Sequence, residues 1–368
     1  MAFKQIPVSA SAISGSHSDF PVYINPSVMA GWGSLTQAET DSLRFYADEA
    51  KTVELARECV SPTEIHVKVG TLSDSTTIYA DYDGIRSDYA VGDTYGRNAV
   101  WGDYESVLHL NESSGDAIDS AGNGDFSVTD VVTGAVGKIG DGYNVDSSSA
   151  VLLRSNLGMV VDNTKDVTVQ GWTKVSTSAS LSNFPGFITL GPGGSSDWNF
   201  YMGANNSLNL SVYTRRANTS VFTASSVPVR SGTMDFLHGV RRYSNGTQAM
   251  YKNGSQIVSG GLGGSQNPAN TSPTIAVGYW RNSIDTWRGE IDEVRIRLTG
   301  ISDAQISTEY NNQNDVASFW GTVTDVGEPE PGATLGLKLG STTINKVMLG
   351  STEIKKVYLG TTVIYENL

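Results

Sequence analysis

The sequence has a single cysteine, Cys59, among its 368 residues. One cysteine excludes an intrachain disulfide framework, so a buried structural thiol is the favoured role for Cys59. No apolar run approaches the ~18 residues that a membrane-spanning segment needs. The opening segment, MAFKQIPVSASAISGS, lacks the positive charge followed by an apolar run that is typical of a signal peptide. We therefore expect neither membrane insertion nor export through a signal peptide.

Basic residues are also scarce, because 25 Lys and Arg stand against 38 Asp and Glu and give a net charge of −13. This balance argues against nucleic acid as a partner, since phosphate binding needs a basic surface. Long helical patterns are missing as well. The 40 glycines, 16 tyrosines and 7 tryptophans are typical of many short strands joined by tight turns. The composition predicts an all-β protein with two or three domains.

The most informative stretch is Trp287–Gln313, WRGEIDEVRIRLTGISDAQISTEYNNQ. Its segment Glu290–Leu298 alternates, which is the pattern of a half-buried strand. The alternation places Glu293 on one face, together with Ile291, and Asp292 on the opposite face, together with Val294. A break at 299–300 and a short helix follow.

The helix after this strand has a start signal of its own. Ser302 stands three residues before Gln305, which predicts a capping box at the helix N-terminus. The strand, turn and capped helix, in this order, resemble the closing segment of concanavalin A-like domains of the laminin G and pentraxin type. Two further segments resemble the same family: the run from Asp119 to Asn123, and the Asn-Gly hairpin at Tyr251–Gly254. The resemblance implies a two-sheet jelly roll over residues 105–320.

Residues 1–104 resemble a β-sandwich module that has no established activity. That module commonly precedes concanavalin A-like domains in bacterial surface and phage proteins. Ser34 and Gln37 in this part of the chain predict a second capping box and a short helix or turn.

The C-terminal part contains an internal repeat. Residues 321–333 include GEPEPG, which predicts an extended linker. In residues 334–368 the units LGSTTINKVM, LGSTEIKKVY and LGTTVIYENL follow each other with a period of ten. We interpret them as a four-strand meander. It is too small to bury both faces alone, so it is expected to assemble or anchor on another chain. The repeats resemble C-terminal modules of tailed-phage structural proteins.

The predicted fold is therefore all-β, with two β-sandwich (jelly-roll) domains and a small C-terminal β-meander repeat. The domains are residues 1–104, 105–320 and 334–368, and the linker is 321–333.

Catalysis is not expected. Glu290, Asp292 and Glu293 are similar at first sight to the catalytic strand of laminarinase-like glycoside hydrolases, which carries its carboxylates on one face. Here Val294 takes the next position on the face of Glu290 and Asp292, and Glu293 is predicted to point the other way. The acid/base is therefore missing.

A metal site is the stronger candidate. The resemblance implies a structural calcium ion held by Asp119, Asn123 and Asp292, with backbone carbonyls around Gly122. The alternative is that Asp and Asn serve only the turn, without a metal. The histidines at positions 17, 66, 109 and 238 show no metal-binding spacing. His66 is expected to pack on a strand face or to be exposed, and His238 is expected to pack structurally.

Carbohydrate binding is the second candidate chemistry, because sugar faces stack on aromatic rings beside polar groups. The predicted carbohydrate-binding residues are Trp198, Tyr279, Trp280, Arg281 and Asn282. Packing at the sandwich edge is the alternative role for each tryptophan.

These observations favour a non-enzymatic virion structural protein of a tailed phage, made in the host cytoplasm and displayed on the virion surface. A tail-fibre or receptor-binding adhesin that binds host cell-surface glycan is the leading hypothesis. Other virion proteins are expected to bind the C-terminal repeat, and a homo-oligomer, such as a trimer, is expected. A capsid decoration or head-fibre protein is the first alternative. A bacterial surface glycan-processing enzyme is the second.

Overall fold

The structure is a computed structural model of the chain. It describes residues 2–155, 165–181, 183–191, 200–216, 219–262, 274–279 and 286–326, and short strands between 338 and 366.

The described residues form 29 strands and four short helices. The helices are α1 (Gln37–Ser42), α2 (Arg97–Val100), α3 (Asp303–Asn314) and α4 (Val316–Phe319). Strands of the first part are β1 (Ala2–Pro7), β2 (His17–Ile24), β3 (Arg44–Tyr46), β4 (Glu54–Leu55), β5 (Arg57–Ser61), β6 (Glu64–Leu72) and β7 (Thr77–Tyr82). Those of the middle part are β8 (Ser106–Leu108), β9 (Ser127–Thr129), β10 (Val132–Val136), β11 (Asp141–Asn144), β12 (Val151–Arg154), β13 (Val167–Lys174), β14 (Gly186–Leu190), β15 (Phe200–Ala204), β16 (Asn209–Arg216), β17 (Thr219–Pro228), β18 (Asp235–Arg242), β19 (Thr247–Lys252), β20 (Ser255–Gly261), β21 (Ile275–Val277) and β22 (Glu290–Arg297). The remaining strands are β23 (Thr324–Asp325), β24 (Lys338–Leu339), β25 (Thr342–Thr343), β26 (Met348–Leu349), β27 (Thr352–Glu353), β28 (Lys356–Leu359) and β29 (Thr362–Glu366). None of the described helices combines the length and the apolar character needed to cross a bilayer.

The fold is nearly all β, with 46% of residues in strands and 9% in helices, and it confirms the predicted class. The first module has a five-stranded sheet, β23-β1-β7-β3-β4, and a three-stranded sheet, β2-β6-β5. Alternate apolar side chains of these strands, such as Phe20, Val22 and Ile24 of β2, are buried in its core.

The second module, the large sandwich, packs an eight-stranded sheet on a seven-stranded one. The first runs β10-β11-β22-β13-β18-β19-β20, with β8 also paired to β22, and the second runs β17-β16-β15-β14-β21-β12-β9. Their facing side chains form one continuous apolar core, which includes Phe187, Met202 and Trp287. The predicted hairpin after Tyr251 is confirmed, because Asn253 and Gly254 both have positive φ angles, 51° and 77°, as a type I′ turn requires.

A β-bulge interrupts the predicted alternation of β22. Across from β22, Gln170 pairs with Arg295 and Trp172 pairs with Asp292, so Gly171 faces two residues, Glu293 and Val294. Glu293 takes a φ of 50°, and Asp292 and Glu293 both leave the core side of the sheet. The prediction that they lie on opposite faces is therefore wrong.

The strand is also not half-buried, because the outer face of the eight-stranded sheet is covered by α3 and by the first module. Trp172 on that face donates from Nε1 to Gln313 of α3 at 2.7 Å. On the other side of α3, Asn312 bonds both backbone groups of Tyr23 in β2, at 2.6 and 3.0 Å. The helix therefore links the two modules.

The predicted domain boundary at residue 320 is wrong for the same reason. Val316, Phe319, Trp320 and Val323 are buried in the core of the first module. Beyond them, β23 pairs with β1. The chain therefore returns to the first module after it completes the large sandwich, and residues 321–326 belong to that module instead of the linker.

The two predicted caps differ in detail from the structure. Ser302 accepts a hydrogen bond from the Gln305 backbone N–H at 3.1 Å, as expected. The Gln305 side chain, however, donates to Glu309 instead of closing the box. At α1 the cap is Thr36, which forms a complete capping box with Glu39. The predicted pair, Ser34 and Gln37, has the same three-residue spacing but lies two residues too early.

In the C-terminal repeat, the described strands form three two-stranded hairpins. Each hairpin pairs the Leu of one unit with the Thr three positions later, as in Leu339 with Thr342 and Leu349 with Thr352. The first strand of each hairpin therefore ends at the Leu of its unit. The sheet pairing between hairpins that a continuous meander requires is not found among the described residues.

Cys59 is half-buried in β5 of the first module. Its thiol lies 3.3 Å from the Thr40 carbonyl oxygen and 3.0 Å from Arg57 Nη1. Burial raises the pKa of the Cys59 thiol to about 12. These contacts are consistent with the structural role expected from the sequence.

Candidate functional site

Of the predicted carbohydrate-binding residues, only Tyr279 lies in the described part of the chain. It is half-buried, forms a bridge with Thr286, and accepts a hydrogen bond at its backbone carbonyl from Thr189. Burial raises the pKa of its phenol. Trp198, Trp280, Arg281 and Asn282 lie outside the described residues, so the aromatic platform stays a prediction.

Asp119, a predicted calcium ligand, is fully engaged by protein donors. One carboxylate oxygen accepts from the backbone N–H groups of Val107 and Ala121, at 2.8 and 3.0 Å. The other accepts from the backbone of Asn123 at 3.1 Å and from the Arg154 guanidinium at 2.7 Å. A guanidinium beside a carboxylate disfavours a second cation at the same oxygen. Asp119 therefore shapes the turn and anchors Arg154.

The other predicted calcium ligands are also used within the fold. Gly122 donates its N–H to the carbonyl of Asp119, and the Asn123 amide donates to the carbonyls of Tyr104 and Glu105. Both positions serve the turn, as the alternative without a metal expects.

Asp292 has a different set of partners. Its Oδ2 accepts from the backbone N–H groups of Lys138 and Ile139, at 2.7 and 2.9 Å. Burial, together with the charges of Glu293 and Glu64, raises the pKa of Asp292 well above the ordinary value. Asp119 and Asp292 thus satisfy separate parts of the fold, and calcium stays a prediction without support from these contacts.

A cluster of buried charged side chains lies between the two modules, and we call it the interface cluster. Its members are Glu58, Glu64 and His66 from the first module, and His109, Glu293 and Arg295 from the large sandwich. Each of these side chains is at most 7% exposed.

His109 is the centre of the interface cluster. Its Nδ1 lies 2.5 Å from Glu293 Oε1 and 3.0 Å from Glu64 Oε1, and its Nε2 lies 3.0 Å from Glu58 Oε2. His66 stacks on the His109 ring with 4.7 Å between ring centroids. Burial by itself lowers the pKa of His109, but the charges of Glu293, Glu58 and Glu64 together raise it well above the ordinary value.

The cluster could not be predicted from the sequence because its histidines are 43 positions apart in the chain. Part of the cluster was visible in the sequence, because Glu64 and His66 are two residues apart and so share one face of a strand. The contribution of His109 and Glu293 depends on the packing of one module on the other.

A second feature is an open polar groove of about 560 Å³ at the edge of the large sandwich. We call it the polar groove. The residues that line it are Asn144, Asp146, Lys174, Ser176, Thr177, Ser178, Ala179, Ser180, Gly232, Arg288, Gly289 and Glu290. They come from the ends of β11 and β13, the start of β22 and the loop after β13, so the sheet holds the groove in place.

The polar groove is lined by charged, amide and hydroxyl side chains. Lys174 Nζ and Glu290 Oε2 form an ion pair at 2.7 Å, and Arg288 Nη1 donates to the Asp146 carbonyl at 2.9 Å. Within the described part of the chain, Arg288 Nε and Asn144 Oδ1 are buried and have no hydrogen-bond partner. Both atoms lie beneath the surface, so the groups that the groove offers to a ligand are the other polar atoms of its lining, such as the Lys174 ammonium and the serine hydroxyls.

Residues 146–307 match the family described as the concanavalin A-like lectin/glucanases superfamily. The chain contains a concanavalin A-like domain. Every residue that lines the polar groove, except Asn144, falls inside the matched range. No curated protein matches the chain.

Several solved structures are similar to the chain at low sequence identity. The receptor-binding domain of botulinum neurotoxin C/D mosaic serotype is 15% identical with a TM-score of 0.41, over 57% of this chain and 51% of that one. The serotype D ligand-binding domain, solved with N-acetylneuraminic acid, is 14% identical with a TM-score of 0.43, over 59% and 53%. Domain 4 of an extracellular arabinanase from Geobacillus stearothermophilus, in complex with arabinotriose, is 20% identical with a TM-score of 0.41, over 56% and 98%. The chain thus spans about half the length of the botulinum domains.

Proposed function

We propose that this protein is a non-enzymatic virion structural protein, a tail-fibre or receptor-binding adhesin whose concanavalin A-like domain binds host cell-surface glycan in the polar groove. The observation that carries the proposal is an open groove of about 560 Å³ in this domain, lined by charged, amide and hydroxyl side chains. Sugar hydroxyl groups both donate and accept hydrogen bonds, so they can satisfy a guanidinium and an amide oxygen together.

The size and character of the groove support a saccharide. A volume of about 560 Å³ is within the range of small-ligand sites. Among the described residues the lining contains no aromatic side chain, so these residues supply hydrogen bonds. Stacking on a sugar ring would therefore come from the predicted aromatic residues. One of them, Tyr279, forms a bridge with Thr286, two residues before the groove residue Arg288.

The positions of the carboxylates on β22 support binding without hydrolysis. Glu290 lines the groove in an ion pair with Lys174. Asp292 and Glu293 lie instead on the face of the sheet that is turned toward the first module. There they contact Ile139 and His109 of the large sandwich itself. Retaining glycoside hydrolysis needs two carboxyl groups ~5 Å apart on either side of the scissile bond. Of the three β22 carboxylates, only Glu290 lines the groove.

The virion part of the proposal is supported by the order of modules, because the N-terminal sandwich and the Leu-Gly repeats resemble phage structural proteins. A capsid decoration or head-fibre protein has the same organisation and is the alternative. Oligomerisation through the C-terminal hairpins is part of the proposal.

Replacing Lys174 with Ala is expected to weaken glycan binding by about tenfold or more, because a charge-assisted hydrogen bond contributes about 1.5–3 kcal/mol. The measurement is a glycan array on the full chain, followed by calorimetry with the best-bound glycan. Lys252→Ala is the matched control, since Lys252 also pairs with a carboxylate, the buried Asp235 at 2.9 Å, but outside the groove. Equal affinity of both variants, or cleavage of the bound glycan, contradicts the proposal.

Deleting residues 334–368 is expected to abolish incorporation of the protein into particles, because the repeat is proposed to provide the attachment surface. Immunoblots of purified virions measure incorporation, and negative-stain microscopy of labelled virions separates a tail location from a head location. Normal incorporation of the truncated chain rules out the anchoring role.

A further inference from the structure

We propose that Glu64, His66, His109 and Glu293 form a binding site for one divalent transition-metal ion of the zinc class, which links the two modules. The four side chains offer two imidazole nitrogens and two carboxylate oxygens. All four atoms lie within 4.8 Å of one another, and all four residues are buried. Two imidazoles with two carboxylates are a ligand set suited to zinc and its neighbours.

The spacing of the donor atoms fits a small ion. His109 Nδ1 lies 2.5 Å from Glu293 Oε1 and 3.0 Å from Glu64 Oε1, and Glu64 Oε1 lies 3.4 Å from His66 Nε2. Ligand atoms at about 2.0–2.2 Å from a tetrahedral ion are roughly 3.4 Å apart. Small side-chain shifts therefore complete a tetrahedral shell.

The interface cluster has an excess of negative charge, which a divalent cation would neutralise. Glu58, Glu64 and Glu293 carry three negative charges in a space that holds one permanent positive charge, that of Arg295. Uncompensated charge in a protein interior is costly. One divalent ion with two neutral imidazoles makes the cluster neutral.

The groups around the proposed ligands have the arrangement of an outer shell. His109 uses Nδ1 toward the proposed ion, and its Nε2 lies 3.0 Å from Glu58 Oε2. Glu58 in turn accepts from Trp101 Nε1 at 2.5 Å and from Ser120 Oγ at 2.7 Å. A carboxylate behind a ligating histidine fixes its tautomer and raises its basicity.

Glu293 is supported in the same way. Its second carboxylate oxygen accepts from Arg295 Nη2 at 2.5 Å. The bulge that turns Glu293 out of the core has a left-handed backbone, with a φ of 50°, which is unfavourable for a residue with a side chain. This conformation is what brings the carboxylate to His109.

The location indicates a structural ion. Each module supplies two ligands, Glu64 and His66 from β6 and His109 and Glu293 from the large sandwich, so the ion would fix one module against the other. Four protein ligands leave no open position for catalysis. A pocket of about 280 Å³, lined in part by Glu58, His109 and Ser120, provides an entry path.

The test is metal analysis of the full chain after purification, saturation with Zn²⁺ and exhaustive dialysis. One zinc per chain is expected for the wild type. Glu293→Gln and His66→Ala are each expected to lower zinc retention about tenfold or more. His238→Ala is the matched control, because His238 is equally buried and also faces a glutamate, Glu309 at 3.2 Å, outside the cluster. It is expected to retain the ion.

A second measurement on the wild type makes the test independent of how well the variants fold. Cobalt(II) substituted for zinc is expected to give the intense visible absorption of a tetrahedral nitrogen and oxygen site, without a thiolate charge-transfer band. A wild-type chain that retains no zinc and gives no such spectrum overturns the proposal. Zinc retained by the folded Glu293→Gln and His66→Ala variants also overturns it, because the ion then lies elsewhere.

Discussion

Replacing Trp320 with Ala is expected to lower the free energy of unfolding of the whole protein by about 3–5 kcal/mol. Trp320 is 2% exposed and is buried in the core of the first module, although it follows the large sandwich in sequence. Its Nε1 donates to the carbonyl of Tyr23 at 3.1 Å. The substitution removes an indole ring from the core of the first module and leaves a cavity there. Urea denaturation, followed by circular dichroism, measures the change.

The control is Phe222→Ala, which removes an aromatic ring that is 40% exposed on the large sandwich. Its expected cost is much smaller, since removing a partly exposed ring leaves no buried cavity. If Trp320→Ala costs no more than this control, the C-terminal end of the sandwich is not part of the core of the first module. The sequence-based boundary at 320 would then be correct.

Replacing Arg154 with Ala is expected to destabilise the protein by about 3–5 kcal/mol, because it leaves buried carboxylates without a counter-charge. Arg154 is 4% exposed, and its guanidinium lies 2.7 Å from Asp119 and 2.5 Å from Glu105. It also donates to the carbonyls of Glu105 and Gly124. Thermal and urea unfolding of the variant measure the loss.

Lys68→Ala is the control for Arg154, since Lys68 pairs at 3.1 Å with Asp103, whose side chain is 60% exposed. An exposed pair of this kind contributes about 0–1 kcal/mol. Similar costs for both variants contradict the structural role of Asp119. Calcium titration of the wild type tests the remaining calcium prediction, because an ion bound at Asp119 raises the melting temperature.

Local features of the fold could be predicted from the sequence. The Asn253-Gly254 turn and the Ser302 cap each depend on a few neighbouring residues, and both are found. The concanavalin A-like domain could be recognised because its closing strand, turn and helix are consecutive in the chain.

Features that depend on distant residues could not be predicted. The bulge at Glu293 could be predicted only if the residue opposite were known to be Gly171. That position has little room for a side chain, because an added Cβ would lie 2.9 Å from Phe187. Both faces of β22 are buried because α3 and the first module cover its outer face, and this packing cannot be read from the strand's own sequence. Trp320 has no local signal that assigns it to the module at the other end of the chain.

The candidate sites show the same contrast. Asp119 and Asp292 were assigned to one ion from the family resemblance. In three dimensions Asp119 pairs with Arg154, whereas Asp292 Oδ2 accepts from the backbone of Lys138. Conversely, His66 and His109 showed no metal spacing, and the packing of the modules stacks their rings. The polar groove is formed by strand ends that meet only in the folded sheet, so neither Asn144 nor Lys174 was a candidate.

The most direct measurement of the central claim is the structure of the full chain bound to its best-bound array glycan. We expect a saccharide in the polar groove, with hydrogen bonds to polar side chains of its lining, Lys174 among them, and with the glycosidic bond intact. A saccharide bound elsewhere on the protein, with the groove empty, would contradict it.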